Sequence, residues 1–129
     1  HLSYLKRRYR LARYSVSLPR LRPAVGGYNP ACPIDDKGML QLILAFRLLD
    51  QHLDISLSTR ESEAFRNHVL TLGVTSMSAG SHTEPGGYAE QHEELEQFTI
   101  NDARSPEEFA QYLQSVGYEP VWKDWDSWL

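Results

Sequence analysis

Cysteine is almost absent from this sequence, since Cys32 is the only one among 129 residues. A single cysteine excludes an internal disulfide, a CxxC zinc site and an iron–sulfur cluster held entirely by this chain. It fits a reducing compartment, and we expect a cytoplasmic protein. The sequence also lacks an apolar run of the roughly 20 residues that a membrane helix needs, so we expect no membrane partner.

A starting methionine and a signal-like hydrophobic segment are missing as well, because the chain begins at His1. We therefore expect a fragment of a longer protein. Hydrophobic residues make up 41% of the sequence, which is enough to bury the core of one domain.

Several common catalytic motifs are also absent from the sequence. It contains no G-x-G-x-x-G, no P-loop, no H-E-x-x-H and no G-x-S-x-G nucleophile elbow. His82 and His92, with the glutamates around them, leave a metal site open, but an acidic loop with incidental histidines is the interpretation we favour. We therefore assign no metal ligand within this chain.

Acidic residues are missing from the first 25 positions, which hold seven of the 13 Lys and Arg residues. A basic start can indicate binding of nucleic acid. No helix-turn-helix pattern or single-strand stacking motif accompanies the charge here. We favour a solvated helix face plus two buried arginines at a strand end, and we expect no nucleic-acid partner.

Hydrophobic periodicity predicts an alternation of helices and strands. The three strand patterns are Tyr14–Leu18, Asp54–Ser58 and Gly73–Ser78. The helices are predicted over residues 1–13, from Asp35 or Asp36 to about His52, from Glu61 to about Val69, and from Ser105 to Gly117. This alternation is typical of parallel strands with crossover helices. We expect an α/β fold that is a sector of a (β/α)8 barrel, because three strands cannot close one.

Three elements carry more specific expectations. The stripe of Leu42, Phe46, Leu49 and Leu53, widened by further apolar residues, predicts a heavily buried second helix. Ser105-Pro106-Glu107-Glu108 predicts a capped helix start, with Phe109, Leu113 and Val116 facing inward. The tail holds Trp122, Trp125 and Trp128, and we expect it to pack, either against the barrel floor, which we favour, or against a partner.

The residues that follow each predicted strand carry the candidate chemistry. Arg20 and Leu21 follow the first strand, Ser58 and Arg60 the second, and Ser78 the third. Because the carboxyl ends of parallel strands meet at one edge, these groups should form a single rim. Arginine binds carboxylates with two parallel hydrogen bonds, so an anionic small ligand is indicated. The alternative is that Arg60 pairs with Glu61 or another acid for structural reasons.

Several separate stretches carry a family resemblance, and they run from the first strand to the end of the chain. They are YSVSLPRLRPAVGG, AFRLL, ISLSTRESEAFR, SAGSHTEPGGYAEQHEELEQF and GYEPVWKDWDSWL. Together they resemble the C-terminal third of the 2-iminoacetate synthase family, the radical S-adenosylmethionine (SAM) tyrosine lyases of thiamine biosynthesis.

The resemblance implies a fold and an activity that the spacing alone does not show. It implies that residues 1–129 are the C-terminal part of a radical SAM barrel, with residues 79–129 forming the closing loop, helix and tail. It implies cleavage of the Cα–Cβ bond of L-tyrosine to 2-iminoacetate and p-cresol, with SAM and a 4Fe–4S cluster as cofactors. The CxxxCxxC cluster motif of the family is not in this chain, so we expect the chain alone to be inactive.

The resemblance also implies roles for individual residues and a partner. Arg60 should hold the amino-acid carboxylate, and Ser58 and Ser78 should add hydroxyls near the substrate. Arg20 and Leu21, in the family's strand-six motif, should lie beside SAM. Thiazole synthase is the implied protein partner, since it consumes the unstable 2-iminoacetate.

Two other functions remain open from the sequence. The first is a related radical lyase. The tyrosine lyase of hydrogenase maturation carries an additional iron–sulfur cluster bound by C-terminal cysteines, whereas no cysteine follows Ser78 here, which favours the thiamine enzyme. A tryptophan radical lyase is a further relative. A non-catalytic domain that binds a partner through its acidic loop and tryptophan tail is the alternative of a different class, but it leaves the strand-end arginines and hydroxyls unexplained.

Overall fold

The structure is a computed structural model that describes residues 1–21, 31–82 and 100–122. Within these ranges the chain forms four helices and three strands. They are α1 (Leu2–Arg8), β1 (Ser15–Ser17), α2 (Asp36–Leu49), β2 (Asp54–Leu57), α3 (Glu63–Val69), β3 (Ser76–Met77) and α4 (Pro106–Ser115). None of these helices has both the length and the apolar character that crossing a membrane would require.

The three strands form one parallel sheet in the order β1-β2-β3. Ser17 pairs with Ser56, and Ser56 pairs in turn with Ser76, so a row of three serines crosses the sheet. Val16 lies beside Ile55 in the neighbouring row. The prediction of parallel, adjacent strands in sequence order is therefore confirmed.

The sheet has one apolar face and one polar face, because side chains alternate along each strand. The apolar face is buried against α2 and α3, and the core consists of Met39, Ile43, Leu53, Ile55, Leu57, Phe65 and Val69. Full burial of such a side chain contributes roughly 1.5–3 kcal/mol, so this layer supplies most of the stabilisation of the sheet. On the polar face, Ser17 and Ser76 are exposed and Ser56 is half-buried.

Local capping determines where the helices begin. Asp35 caps α2 by accepting from the amide of Gly38 at 2.7 Å. At α4, the Ser105 hydroxyl accepts from the Glu108 amide at 3.1 Å, and the Glu108 carboxylate accepts from the Ser105 amide at 2.8 Å. The predicted capping box is thus confirmed, and Gly117, with φ of +86°, follows the helix end.

The expected burial of two helices was wrong in part. Met39 and Ile43 are the buried residues of α2, whereas Leu42 and Leu49 of the predicted stripe are 38% and 58% exposed. Met39 and Ile43 belong to the same core cluster as Ile55 and Leu57, and Leu40 packs against it, so one stripe of α2 is covered while Leu44 is 39% exposed. In α4, Phe109 is buried as expected, but Val116 is 44% exposed because it lies in the turn that ends the helix.

Strand and helix boundaries also differ from the expected ones. The third strand begins at Ser76 instead of Gly73, because Gly73 adopts φ of +108° and its carbonyl accepts from the Arg47 guanidinium at 2.6 and 3.2 Å. Helix α3 begins at Glu63 instead of Glu61, since Ser62 caps it. Trp122 is 66% exposed. The rest of the tryptophan tail, residues 123–129, lies outside the described residues, as do residues 22–30 and 83–99.

We predict that the capping box controls the local stability of α4. Replacing Ser105 with Ala removes the hydroxyl acceptor, which costs about 1 kcal/mol. Hydrogen exchange of the α4 amides in the full-length protein should therefore be roughly fivefold faster. Two control variants should show the same exchange rates of the α4 amides as the wild type. Glu108→Gln keeps the reciprocal hydrogen bond, and Gln111→Ala changes an exposed position. Equal acceleration in all three variants would contradict this role of the box.

Candidate functional site

The carboxyl ends of β1, β2 and β3 lie along one edge of the sheet, because the strands are parallel and in register. We call the residues that follow them, 18–21, 58–61 and 78–81, the strand-end rim. Every site residue predicted from the sequence lies on this rim. The structure therefore brings the predicted groups to one edge, as parallel topology requires.

Arg20 is a buried cross-link within the rim and is only 7% exposed. Its guanidinium donates from Nε and Nη2 to Glu61 Oε2, with the Nε bond at 2.8 Å, and from Nη1 to Asp36 Oδ1 at 2.7 Å. Its guanidinium carbon lies 4.9 Å from the centroid of the Phe65 ring. The hydrogen bond to Glu61 is the main cause that raises the pKa of Arg20 above its ordinary value. Arg20 thus joins the loops after β1 and β2 to the start of α2.

The structure shows the surroundings of Arg20 and Leu21, the two residues that were predicted to contact SAM. Arg20 points its N–H groups at carboxylates of the protein, which matches the expected buried strand-end arginine. Leu21, the next residue, is 60% exposed. The predicted contacts of both residues with SAM stay predictions.

The loop after β2 holds Ser58 and Arg60, which are both half-buried, on either side of the buried Thr59. The Ser58 hydroxyl accepts from the Arg60 amide at 3.4 Å, so the two residues form a tight turn. The Arg60 carbonyl accepts from Asn101 Nδ2 at 2.6 Å. Glu61, which follows Arg60, is fully buried and accepts from Arg20.

Ser78 lies at the end of β3, and its backbone is held on both sides. Its amide donates to the Leu57 carbonyl at 3.1 Å, which extends the ladder by one bond. Its carbonyl accepts from Arg66 Nη2. The side chain of Ser78 is exposed, so its hydroxyl is available at the rim.

A buried charge cluster beneath Ser78 is the feature that sequence reasoning missed. Arg66 from α3 is 1% exposed and pairs with the fully buried carboxylate of Asp102. Arg104 binds the same carboxylate at 2.6 and 2.9 Å. Both guanidinium carbons lie 4.8 Å from the centroid of the Phe109 ring. The available signal was the position of Arg66, which lies next to the core residue Phe65 and three before the core residue Val69.

The cluster lowers the pKa values of Asp102 and Arg66 and raises that of Arg104. Burial alone would raise the pKa of Asp102, but hydrogen bonds from Arg104 and the charge of Arg66 outweigh it, so the pKa is lowered. Burial lowers the pKa of Arg66, and the Asp102 charge partly opposes this. Asp102 is therefore the ionised centre that two arginines share.

Metal-binding groups do not converge on the rim. Over residues 1–21, 31–82 and 100–122, no set of three or more His, Cys, Asp and Glu side chains is arranged to hold a metal ion. Cys32 is exposed. His92, considered above with His82, lies outside the described residues.

We predict that Asp102→Asn destabilises the full-length protein by about 3–5 kcal/mol, because it leaves the buried Arg66 and the half-buried Arg104 without their shared carboxylate. Asp36→Asn is the matched control: its carboxylate also binds an arginine but is 65% exposed, so we expect a loss of about 1 kcal/mol or less. Urea unfolding measures both. Equal losses in the two variants would contradict the importance of the buried pair.

The ion pair between Arg66 and Asp102 should make the free energy of unfolding depend on pH in the acid range. Because the pKa of Asp102 is lowered in the fold, its contribution is complete above the ordinary aspartate pKa of about 3.9 and is lost as pH falls through the lowered value. The wild type should lose stability below about pH 4 more steeply than Asp102→Asn. Parallel pH profiles of the two proteins would contradict the assignment.

Comparison with known proteins places this geometry in a family. The chain is 55% identical over its whole length to 2-iminoacetate synthase of Salmonella typhimurium and 53% identical to that of Escherichia coli. It spans 34% of the length of each, at their C-terminal region, which confirms the resemblance found in the sequence.

Two solved structures are similar in fold. HydG, a maturase of the [FeFe]-hydrogenase, superposes with a TM-score of 0.84 at 35% identity over 94% of this chain and 26% of that one. HydG from Carboxydothermus hydrogenoformans superposes with a TM-score of 0.80 at 33% identity over 95% of this chain and 28% of that one. Residues 17–119 match the model of the Biotin and Thiamin Synthesis associated domain, and the chain therefore belongs to that family.

Proposed function

We propose that this chain is the C-terminal part of a radical SAM lyase that cleaves the Cα–Cβ bond of L-tyrosine. The products are 2-iminoacetate, which supplies the thiazole of thiamine, and p-cresol. The observation that carries the proposal is the 55% identity to a 2-iminoacetate synthase across the entire chain. In this proposal the enzyme is cytoplasmic, as the two bacterial relatives suggest.

The two-faced sheet supports a place in a larger barrel. We infer that β1, β2 and β3 are the last three strands of a (β/α)8 barrel and that residues 79–129 form its closing loop, helix and tail. Parallel sheets are ordinarily covered on both faces, whereas here one face carries the serine row. Inside a barrel that row faces the other strands, and the helices stay on the outside.

An apolar groove beside β3 supports the same inference. It has a volume of about 510 Å³ and runs between β3 and α4, with Val74, Met77, Phe109 and Leu113 among its lining residues. Among the described residues β3 pairs with β2 on one side only. The upstream part of the full-length chain is the occupant that we propose, since the relatives are about three times as long as this chain.

The rim supports a binding role for tyrosine. We propose that Arg60 binds the substrate carboxylate through its planar guanidinium, and that the hydroxyls of Ser58 and Ser78 add polar contacts. Leu21, exposed beside the rim, contacts SAM in this proposal. Arg20 holds the backbone of Leu21 through its bonds to Glu61 and Asp36.

The cofactors are proposed for the full-length enzyme, in which SAM and a 4Fe–4S cluster supply a 5′-deoxyadenosyl radical. The residues of this chain do not fit the cluster, because the one cysteine is exposed and cannot provide three thiolates. The work of this chain is therefore to bind and orient the substrate and to exclude water.

The protein partner that we propose is thiazole synthase, and the tryptophan tail is its candidate binding surface, the alternative being that the tail packs against the barrel floor. Trp122, at the start of that tail, is 66% exposed, and an exposed indole is costly unless a surface covers it. Direct transfer would also protect 2-iminoacetate, which is unstable in water.

We predict that truncation of the full-length enzyme after Pro120 abolishes co-purification of thiazole synthase while tyrosine cleavage persists. The truncation removes Trp122 together with the rest of the tail. Loss of cleavage with association retained would assign the tail a structural role instead and would contradict the partner proposal.

We predict that the full-length protein, reconstituted without oxygen and given SAM, a reductant and tyrosine, releases p-cresol, and that the 129-residue chain alone releases none. Arg60→Lys keeps the charge but loses the two-pronged geometry, so the apparent affinity for tyrosine should drop by roughly tenfold or more, corresponding to about 1.5–3 kcal/mol.

Arg47→Lys is the matched control for this substitution. Arg47 binds the carbonyls of Gly73 and Gln51, which precede the strands and so lie away from the rim. Its apparent affinity for tyrosine should equal that of the wild type. Absence of p-cresol from the full-length protein would refute the proposed activity, and unaltered tyrosine kinetics in Arg60→Lys would remove Arg60 from the site.

A further inference from the structure

Residues 100–104, which we call the return segment, bring the chain back to the strand-end rim and bind the loop after β2. The amides of Asn101 and Asp102 donate to the Thr59 carbonyl at 3.0 and 3.1 Å. Thr59 is 3% exposed and directly precedes Arg60. The backbone of the return segment is therefore anchored one residue away from Arg60.

The return segment also binds the loop after β3. The Arg104 carbonyl accepts from the Gly80 amide at 3.1 Å. Asp102 pairs with Arg66, whose Nη2 donates to the Ser78 carbonyl. Five consecutive residues thus connect the two strand ends that carry Arg60 and Ser78, through backbone bonds and a buried ion pair.

One side chain of this segment acts on Arg60 directly. Asn101 Nδ2 donates to the Arg60 carbonyl at 2.6 Å, and the Asn101 side chain lies on the exposed side of the segment. This bond fixes the peptide plane that follows the Arg60 Cα, and hence the direction in which the Arg60 side chain leaves the backbone. It adds nothing to the buried anchors at Thr59 and Asp102, which hold the segment in place without it.

We propose that Asn101 is a positioning residue for the amino-acid substrate: by holding the Arg60 carbonyl, it aims the guanidinium at the substrate carboxylate. The inference rests on the proposed function of Arg60 and extends it to a residue on a different part of the chain. The required chemistry is specific, because a side chain must donate to a carbonyl. Asparagine provides that donor, and an ionised aspartate of the same shape does not.

The test measures binding of tyrosine and of tyramine, which lacks the carboxylate, to the full-length enzyme by calorimetry. Asn101→Ala leaves the backbone anchors intact, so the fold should persist. We expect its affinity for tyrosine to fall about three- to tenfold, the effect of losing one hydrogen bond, while its affinity for tyramine stays unchanged. The preference for tyrosine over tyramine is a readout that general destabilisation does not move selectively.

Two further variants separate positioning from structure. Ser105→Ala removes a structural hydrogen bond beside the return segment without contacting Arg60, and it should leave both affinities as in the wild type. In an Arg60→Lys background, adding Asn101→Ala should cost less than twofold in tyrosine affinity, because the group that Asn101 aims is already altered.

Each other result contradicts the proposal in an identifiable way. Equal losses for tyrosine and tyramine, or unchanged affinities in Asn101→Ala, would overturn the positioning role while leaving the lyase activity standing. A full multiplicative loss in the Arg60→Lys background would show that Asn101 acts independently of Arg60 and would also overturn it. A wild-type enzyme that releases no p-cresol would overturn the proposed function and, with it, this inference.

Discussion

The buried ion pair between Arg66 and Asp102 is the contact on which the rest of the strand-end rim depends. Arg66 comes from α3 and Asp102 from the return segment, and both are almost fully buried. The same guanidinium binds the Ser78 carbonyl. Removing Asp102 would leave the buried Arg66 charge without its carboxylate, at a cost of several kcal/mol. The helix, the end of β3 and the return segment therefore keep their arrangement together or lose it together.

A second buried arginine, Arg20, cross-links the loops that follow the first two strands. Arg20 joins the loop after β1 to Glu61 after β2, and its guanidinium carbon lies 4.9 Å from the centroid of the Phe65 ring. The loop that carries Arg60 thus lies between two buried cross-links, each backed by an aromatic ring. Hydrophobic residues of similar volume could stabilise such positions equally well, but they would not fix the direction of a backbone carbonyl or a carboxylate. A rim that binds a small polar substrate needs that directional restraint.

The one-sided sheet supports the proposal that this chain is part of a larger barrel. The helices cover the face of Ile55 and Leu57, and the opposite face carries the serine row. The chain spans 34% of the length of the two synthases, and the barrel that we propose gives this polar face the remaining strands to face. The apolar groove between β3 and α4 fits the same arrangement, because a strand edge and a helix beside it would both be covered by the preceding part of the chain.

The sequence by itself determined the local elements, their parallel order and the membership of the rim. Capping at Ser105, strand alternation around Ile55 and the turn at Gly117 depend on neighbouring residues and can be read directly. Only the tertiary structure decided which charges pair, because Arg20 meets Glu61 across 41 positions and Arg66 meets Asp102 across 36. Periodicity also cannot tell a covered helix face from an open one, and so the exposure of Leu49, which was predicted to be buried, was missed. Capping and turn formation depend on residues that are neighbours in the sequence, so they can be predicted from it. Buried ion pairs and helix burial depend instead on which distant segments the fold brings together.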